Sequence, residues 1–266
     1  MLLLANINFT HYRLLISLYF IDFCNLDFKK SMTSSEILIE LEKMGTAQTK
    51  KTFMNHGAVE PIFGVKVGDL KTIQKKVKKN HALALELYAT GNSDAMYLAG
   101  LIADEKLVTK AELQLWLKNA TWYMLSEYTV AWLASESRYG WELGLEWIES
   151  KEDKIAACGW NALSNWMALQ PDEKLDIPHI TKLLERIEKK IHAAQNREKY
   201  CMNGFVIATG AAVAALTDKC LQIGNSIGAV YVDVGKTSCQ VPLITPYLEK
   251  IIGMGKIGKK KKMARC

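Results

Sequence analysis

Phe63-Gly64-Val65-Lys66-Val67-Gly68-Asp69-Leu70-Lys71 reads as a tight glycine turn running into an amphipathic helix with a basic face. From Val67 onward the apolar residues Leu70, Ile73 and Val77 recur at helical spacing, while Lys71, Lys75, Lys78 and Lys79 fall on the opposite side. One face belongs to a core. The other is available to phosphates, although a lysine-rich face is also what a plain solvated helix looks like.

Working outward, the same helical period continues to Leu169, with short connections marked by Gly91-Asn92, Lys118-Asn119, Tyr139-Gly140 and Ser150-Lys151. Thr33-Ser34-Ser35-Glu36 and Thr109-Lys110-Ala111-Glu112 are capping boxes. The prolines at 61, 171, 178, 242 and 246 fall where the apolar period resets, so none breaks a helix. The one alternating stretch, Val230-Tyr231-Val232-Asp233-Val234, is too isolated to build a sheet. Many short helices without strand signals predict an all-α protein of stacked antiparallel pairs, either a bundle or a solenoid.

Composition narrows the class further. Hydrophobic residues make up 49% and charged residues 23%, as in an ordinary globular chain. The formal net charge is +6, and Lys256, Lys259, Lys260, Lys261, Lys262 and Arg265 account for all of it, so the chain before Lys256 is neutral. Any basic surface on that body must come from segregation of charge. The six cysteines form no CxxC pair and the five histidines are scattered, which points to a reducing compartment and gives no metal-ligand spacing.

Residues 1–31 read as an upstream extension ahead of Met32: their apolar run is interrupted by Asp22 and Asp27, too short for a spanning helix, and without signal-peptide flanks. Residues 32–255 form the expected repeat domain. Residues 256–266 are expected to be a short, mobile basic tail.

The Phe-Gly-Val-basic-Val turn followed by Asp-Leu-basic, with Leu83 to Asp104 behind it, resembles the DNA alkylation repair family of HEAT-like glycosylases. The resemblance spans roughly Gly45 to Leu216. It implies HEAT-like helical repeats forming a curved α-α superhelix.

Two motifs of that family have counterparts here. Its Trp-Trp-Asp-Thr-Val-Asp pattern lines the lesion cleft with the second Trp and the last Asp, and falls on Trp122 to Glu127, so Tyr123 stands for that Trp and Glu127 for that Asp. Its Gly-Trp with an Arg three residues beyond falls on Gly204-Phe205, with Ala208 in place of the Arg. The resemblance thus implies hydrolysis of the N-glycosidic bond of cationic N3- or N7-alkylpurines. Glu127 would stabilise the oxocarbenium-like centre and orient a water, with Tyr123 and Phe205 against the damaged nucleotide and Trp122 supporting that wall.

The departures have physical weight. The extra methylene of Glu shifts its oxygens by about an ångström, a displacement that can cost on the order of a hundredfold in rate. Tyr and Phe offer weaker π-faces than Trp, and Ala208 cannot pair with a phosphate or carboxylate. A catalytically weak or silent DNA-binding relative, or a protein scaffold, therefore stands beside the glycosylase reading.

The remaining expectations concern the surface. Trp160, Leu163 and Met167 follow core spacing, while Trp166 falls off that face and is a candidate for the substrate side. Lys50, Lys51, Lys66, Lys71 and Lys75 are candidate DNA-backbone contacts. Gly235-Lys236-Thr237 lacks the first glycine of a phosphate loop, so the stretch Val232 to Pro242 is either a cap over the last repeat or a loop on a nucleic-acid backbone. The expected partner is double-stranded DNA, alkylated or not, bound by a monomer without metal, cofactor or membrane. The expected location is the cytoplasm, in association with the nucleoid when on DNA.

Overall fold

A computed structural model describes residues 32–265. The expectation for residues 1–31 lies outside the described residues. The body from Ser34 onward is one compact unit.

Thirteen α-helices and one π-helical segment carry the described residues, with no strand among them. They are α1 (Ser34–Met44), α2 (Ala47–Asn55), α3 (Val67–Val77), α4 (His81–Ala89), α5 (Ser93–Ile102) and α6 (Lys110–Asn119). The π-helix Met124–Val130 runs directly into α7 (Ala131–Glu136). There follow α8 (Gly140–Trp147), α9 (Asp153–Leu169), α10 (Ile177–Lys190), α11 (Asn196–Ala212), α12 (Thr217–Ile227) and α13 (Ile244–Gly253).

Local chemistry sets the helix starts. Thr109 caps α6 as expected: Glu112 N–H donates to Thr109 Oγ1 at 3.2 Å, and Thr109 N–H to Glu112 Oε2 at 2.7 Å. Asn80, Asn92 and Asp176 accept from the first turns of α4, α5 and α10. Leu70 and Ile73 of α3 are buried, as the helical period predicts.

Packing is that of HEAT-like helix pairs. Each helix from α4 onward pairs with its neighbour, and α5, the π-helix with α7, α9, α11 and α13 pack on one another in turn as a continuous layer. Gly100 on α5 permits one of these contacts, since a Cβ there would stand 2.4 Å from Thr129 Cγ2 of the π-helix. The most extensive contact is α9 on α11, centred on Trp160 and Phe205, whose rings meet edge to face at 5.2 Å with both side chains fully buried.

The turn at Phe63–Val65 is an internal clasp. Asp94, at the start of α5, accepts the backbone N–H groups of Phe63 (2.6 Å), Gly64 (3.1 Å) and Val65 (2.9 Å). Gly64 has φ +83°, and a Cβ there would lie 2.4 Å from the backbone nitrogen of Lys50, so the turn packs directly on α2. The anion that this motif grips is the protein's own carboxylate.

One expectation is corrected outright: the segment after Lys256 is not a mobile tail. Gly258 N–H donates to Ala211 O at 2.8 Å and Lys261 N–H to Ala168 O at 2.8 Å. Arg265, 9% exposed, donates to Ala103 O at 2.7 Å, Gly100 O at 3.2 Å and Glu105 Oε2 at 2.6 Å, and also pairs with Glu136. The physical reason is that the last carbonyls of a helix lack intrahelical donors. The segment supplies those donors to α11, α9 and α5 in turn.

Candidate nucleic-acid interface

The π-helix Met124–Val130 adds a residue to the turn and rotates the following side chains relative to an α-helix. Glu127 on this segment is 1% exposed. Its Oε1 accepts Arg197 Nε–H at 2.7 Å and its Oε2 accepts Arg197 Nη2–H at 2.5 Å, a bidentate pair. Arg197 stands in the first turn of α11, where Asp153 of α9 accepts the backbone N–H groups of Arg197 (3.0 Å) and Glu198 (2.7 Å). The arginine is therefore fixed at both its backbone and its guanidinium.

Two phenol rings close the guanidinium in. Its carbon lies 4.4 Å from the centroid of Tyr123 and 4.4 Å from that of Tyr200. Tyr123 Oη is in turn 3.1 Å from His56 Nδ1 at the end of α2. Tyr123 and Glu127, the two counterparts of the family's cleft-lining Trp and Asp, do come together, and Arg197 is what joins them.

Electrostatics follow from burial. Burial raises the Glu127 carboxyl above its ordinary value, and the paired guanidinium works against that shift. For Arg197 burial opposes the charge, but Glu127 outweighs it and raises the guanidinium further. Burial likewise raises the phenols of Tyr123 and Tyr200 and the thiols of Cys158 and Cys201, so these neighbours stay protonated. What they enclose is a fixed, self-neutralised ion pair.

In front of the pair lies an open cleft of about 490 Å³, lined by His56, Gly57, Tyr123, Arg197 and the segment Asp233–Lys236. Glu127 is not among its lining residues. The segment Val232 to Pro242 is held along α11: Asn196 and Asp233 exchange two 2.8 Å hydrogen bonds, and Asn203 Nδ2 donates to Pro242 O at 2.9 Å. Val230 and Val232 are buried in the core formed with α11 to α13. The stretch therefore caps the last repeats, as one of the two expectations had it, and also brings Lys236 to the cleft.

The other sequence-chosen residues are placed less uniformly. Trp122 is buried, 5.6 Å from Phe53 and 5.4 Å from Tyr123 between ring centroids, and so supports the Tyr123 wall from behind. Phe205 must be corrected: it is fully buried against Trp160 and reaches no cleft surface. Trp166 packs on Trp141 of α8 at 4.8 Å and does not line the cleft. Lys50 pairs with Glu60 at 2.6 Å, Lys71 is half-buried, and Lys51, Lys66 and Lys75 are exposed. None of the five lines the cleft, although the far end of α2 does.

Sequence reasoning missed Arg197, Tyr200, His56 and Asp153. Arginine is scarce in this chain, with five among 34 basic residues. That scarcity in a lysine-rich protein was the available signal, because a planar fork is what bidentate pairing needs. Ala208, which stands where the resembled family has its Arg, is eleven residues beyond Arg197 on the same helix, about 16 Å along its axis. Among the described residues no cluster of three or more His, Cys, Asp or Glu side chains could hold a metal ion.

Comparison with known proteins agrees with this architecture. The profile of the family described as DNA alkylation repair enzyme matches residues 37–222. The uncharacterized protein Lin0241 of Listeria innocua is 33% identical over 225 residues, 82% of this chain and 97% of that one. The uncharacterized protein Lmo0209 of Listeria monocytogenes is 32% identical over the same shares. A solved structure described as representing a new family related to the HEAT-like repeat DNA glycosylases, with affinity for branched DNA structures, superposes with a TM-score of 0.82. It is 35% identical, and the match covers 88% of this chain and all of that one. The HEAT-like helix pairs, the Phe63–Val65 clasp and these matches together show that the chain belongs to the DNA alkylation repair enzyme family.

Proposed function

We propose that this protein binds DNA, favouring branched over linear duplexes, and that it does not excise alkylated bases through Glu127. The observation that carries the second half is the bidentate Glu127–Arg197 pair. A glycosylase carboxylate has to present negative charge to the sugar carbon as positive charge develops there. Here the charge is neutralised by Arg197, and Glu127 sits behind Tyr123 and Arg197 rather than on the cleft wall. Uncovering the carboxylate means breaking a buried pair, which costs about 3–5 kcal/mol, or about two to three and a half powers of ten in population.

The preference for branched DNA is supported by the described affinity of the structural relative, which this chain matches over all of that protein's length. Lys236 and His56 at the cleft, with the exposed lysines Lys51, Lys66 and Lys75 on and before α3, are of the right chemistry for phosphates. Excision of N3- or N7-alkylpurines is the competing reading. It draws support from the half-buried Tyr123 ring at the mouth of a cleft of about 490 Å³.

The test of the binding half is a titration of the protein against a four-way junction and a linear duplex of the same sequence, followed by fluorescence anisotropy at several salt concentrations. Tighter binding to the junction, with affinity falling steeply in salt, is the expected result. Equal affinity for both DNAs, or none for either, would overturn it.

A further inference from the structure

We propose that the C-terminal strap, residues 256–265, forms a second phosphate-binding track that takes a second arm of a branched DNA. The inference rests on the DNA-binding reading above and adds to it the place where the second arm lies. Its starting observation is that all of the chain's net positive charge resides in this segment, which the hydrogen bonds of Gly258, Lys261 and Arg265 fix in position.

The edge it covers is otherwise unfavourable for DNA. The helices of the continuous layer end there, with their carbonyl-rich, partly negative termini, and Glu105, Glu136 and Asp172 stand beside them. The strap reverses that. Arg265 pairs with Glu105 and Glu136, and Lys260 pairs with Asp172 at 2.7 Å while donating to Met167 O at 3.3 Å. Once these two cations have answered the acids, four lysines remain exposed on a fixed backbone: Lys261 reaches Asn165 Oδ1 at 3.5 Å, and Lys256, Lys259 and Lys262 are left facing outward. Lys262 further shares a cavity of about 590 Å³ with Lys78 from the end of α3, which continues the positive edge onto a second element.

A charge run whose only role was to complement helix ends would need no more than the two pinned cations. An unanchored solubilising tail would not end in a buried arginine. The ordering of the segment lowers the conformational cost of binding, since lysines on a fixed ribbon do not have to be gathered from a mobile chain.

The track is also distinct from the cleft. Arg197 opens α11 at the cleft, whereas Ala211, which accepts from the strap, closes it. Fourteen residues of helix separate them by about 21 Å, about six phosphates along a strand. Two arms diverging from a branch point can occupy both sites at once. A short duplex seated in the cleft need not touch the strap.

The test uses the full chain as wild type and as the triple variant Lys256→Gln, Lys259→Gln, Lys262→Gln, with thermal melting to confirm that the fold is kept. Each binds a four-way junction and a linear duplex the length of one arm, with salt varied between about 50 and 200 mM. The variant is expected to lose about 10- to 100-fold in junction affinity and to lower the slope of log K against log salt by about 2 to 3. Its affinity for the short duplex stays within about twofold of wild type. Equal weakening on both DNAs, or no weakening on the junction, overturns the second track. A wild type that binds neither DNA overturns the DNA-binding reading itself, and the track with it.

Discussion

Replacing Arg197 by Met leaves the Glu127 carboxylate buried, 1% exposed, with no cation beside it. Removing one partner of a buried pair costs about 3–5 kcal/mol. The lost stacking on Tyr123 and Tyr200 adds about 0.5–1 kcal/mol for each ring, part of which the Met side chain restores by packing. The Asp153 bonds to the Arg197 and Glu198 backbone persist, so the start of α11 is kept. A loss of about 3–5 kcal/mol corresponds to a fall in Tm of roughly 6–20 °C for a domain of this size.

The deficit has a pH signature. Burial holds the Glu127 carboxyl above its ordinary value of 4.5, and more so without Arg197. A raised folded-state pKa means that the folded form binds more protons than the unfolded form, so stability falls as pH rises. The variant is therefore closest to wild type below about pH 4.5 and departs from it as pH rises toward the folded-state pKa. Urea unfolding followed by circular dichroism across that range, with the m-value unchanged, measures the effect. Adding Glu127→Gln to Arg197→Met removes the stranded charge and should recover at least about 2 kcal/mol. A single variant that loses less than about 1 kcal/mol, or a double variant no more stable than the single, refutes the idea that the pair is buried and mutually dependent.

Three further outcomes follow from the packing. Asp94→Ala strands the N–H groups of Phe63, Gly64 and Val65 and should cost about 3 kcal/mol or more by thermal unfolding. Asp94→Asn keeps one acceptor oxygen, enough for the Phe63 and Gly64 N–H groups, but turns its NH2 toward Val65 N–H, and should cost less than Asp94→Ala; equal losses would contradict the clasp. Arg265→Ala releases the strap. Although burial alone would raise Glu105, Lys79 and Arg265 hold it down at about 2, so the strap's contribution is fully present above pH 4.5 and is lost as pH falls toward about 2. The gap in Tm between wild type and Arg265→Ala should therefore narrow in acid, the part carried by the Gly100 and Ala103 carbonyls remaining, and a gap that stays constant across that range would contradict the pairing. Phe205→Ala opens a cavity beside Trp160 and should cost about 3–5 kcal/mol while leaving the DNA affinity of the folded protein unchanged. Weaker DNA binding at equal folded fraction would return Phe205 to the interface.

The features legible in the sequence were the local ones. The helical period of α3, the Thr109 capping box and the core face of Trp160, Leu163 and Met167 depend on residues a few positions apart, and each stands as read. Glu127 and Tyr123 stood out through their match to the Trp-Trp-Asp-Thr-Val-Asp pattern, but their partner lies 70 residues away from Glu127 and leaves no spacing to detect. The single-residue widening of the π-helix has no compositional mark, although it sets where Glu127 points. The Phe63–Val65 turn was recognisable, whereas its meaning was not, because its anion is supplied by Asp94 from the next helix pair. The C-terminal segment read as mobile because basic, glycine-punctuated chain ends usually are. Its donors find helix-end carbonyls up to 165 residues earlier, which no local pattern reveals.

On the function proposed above, Glu127 belongs to Arg197 and not to a substrate. Single-turnover release of 7-methylguanine and 3-methyladenine from methylated duplex DNA tests it most directly, with wild type and Glu127→Gln compared at equal folded concentration. The expected result is no release above the spontaneous rate by either protein, under conditions where wild type binds a four-way junction. Release by wild type that falls by about a hundredfold or more in Glu127→Gln would contradict the claim and place the chemistry at that carboxylate.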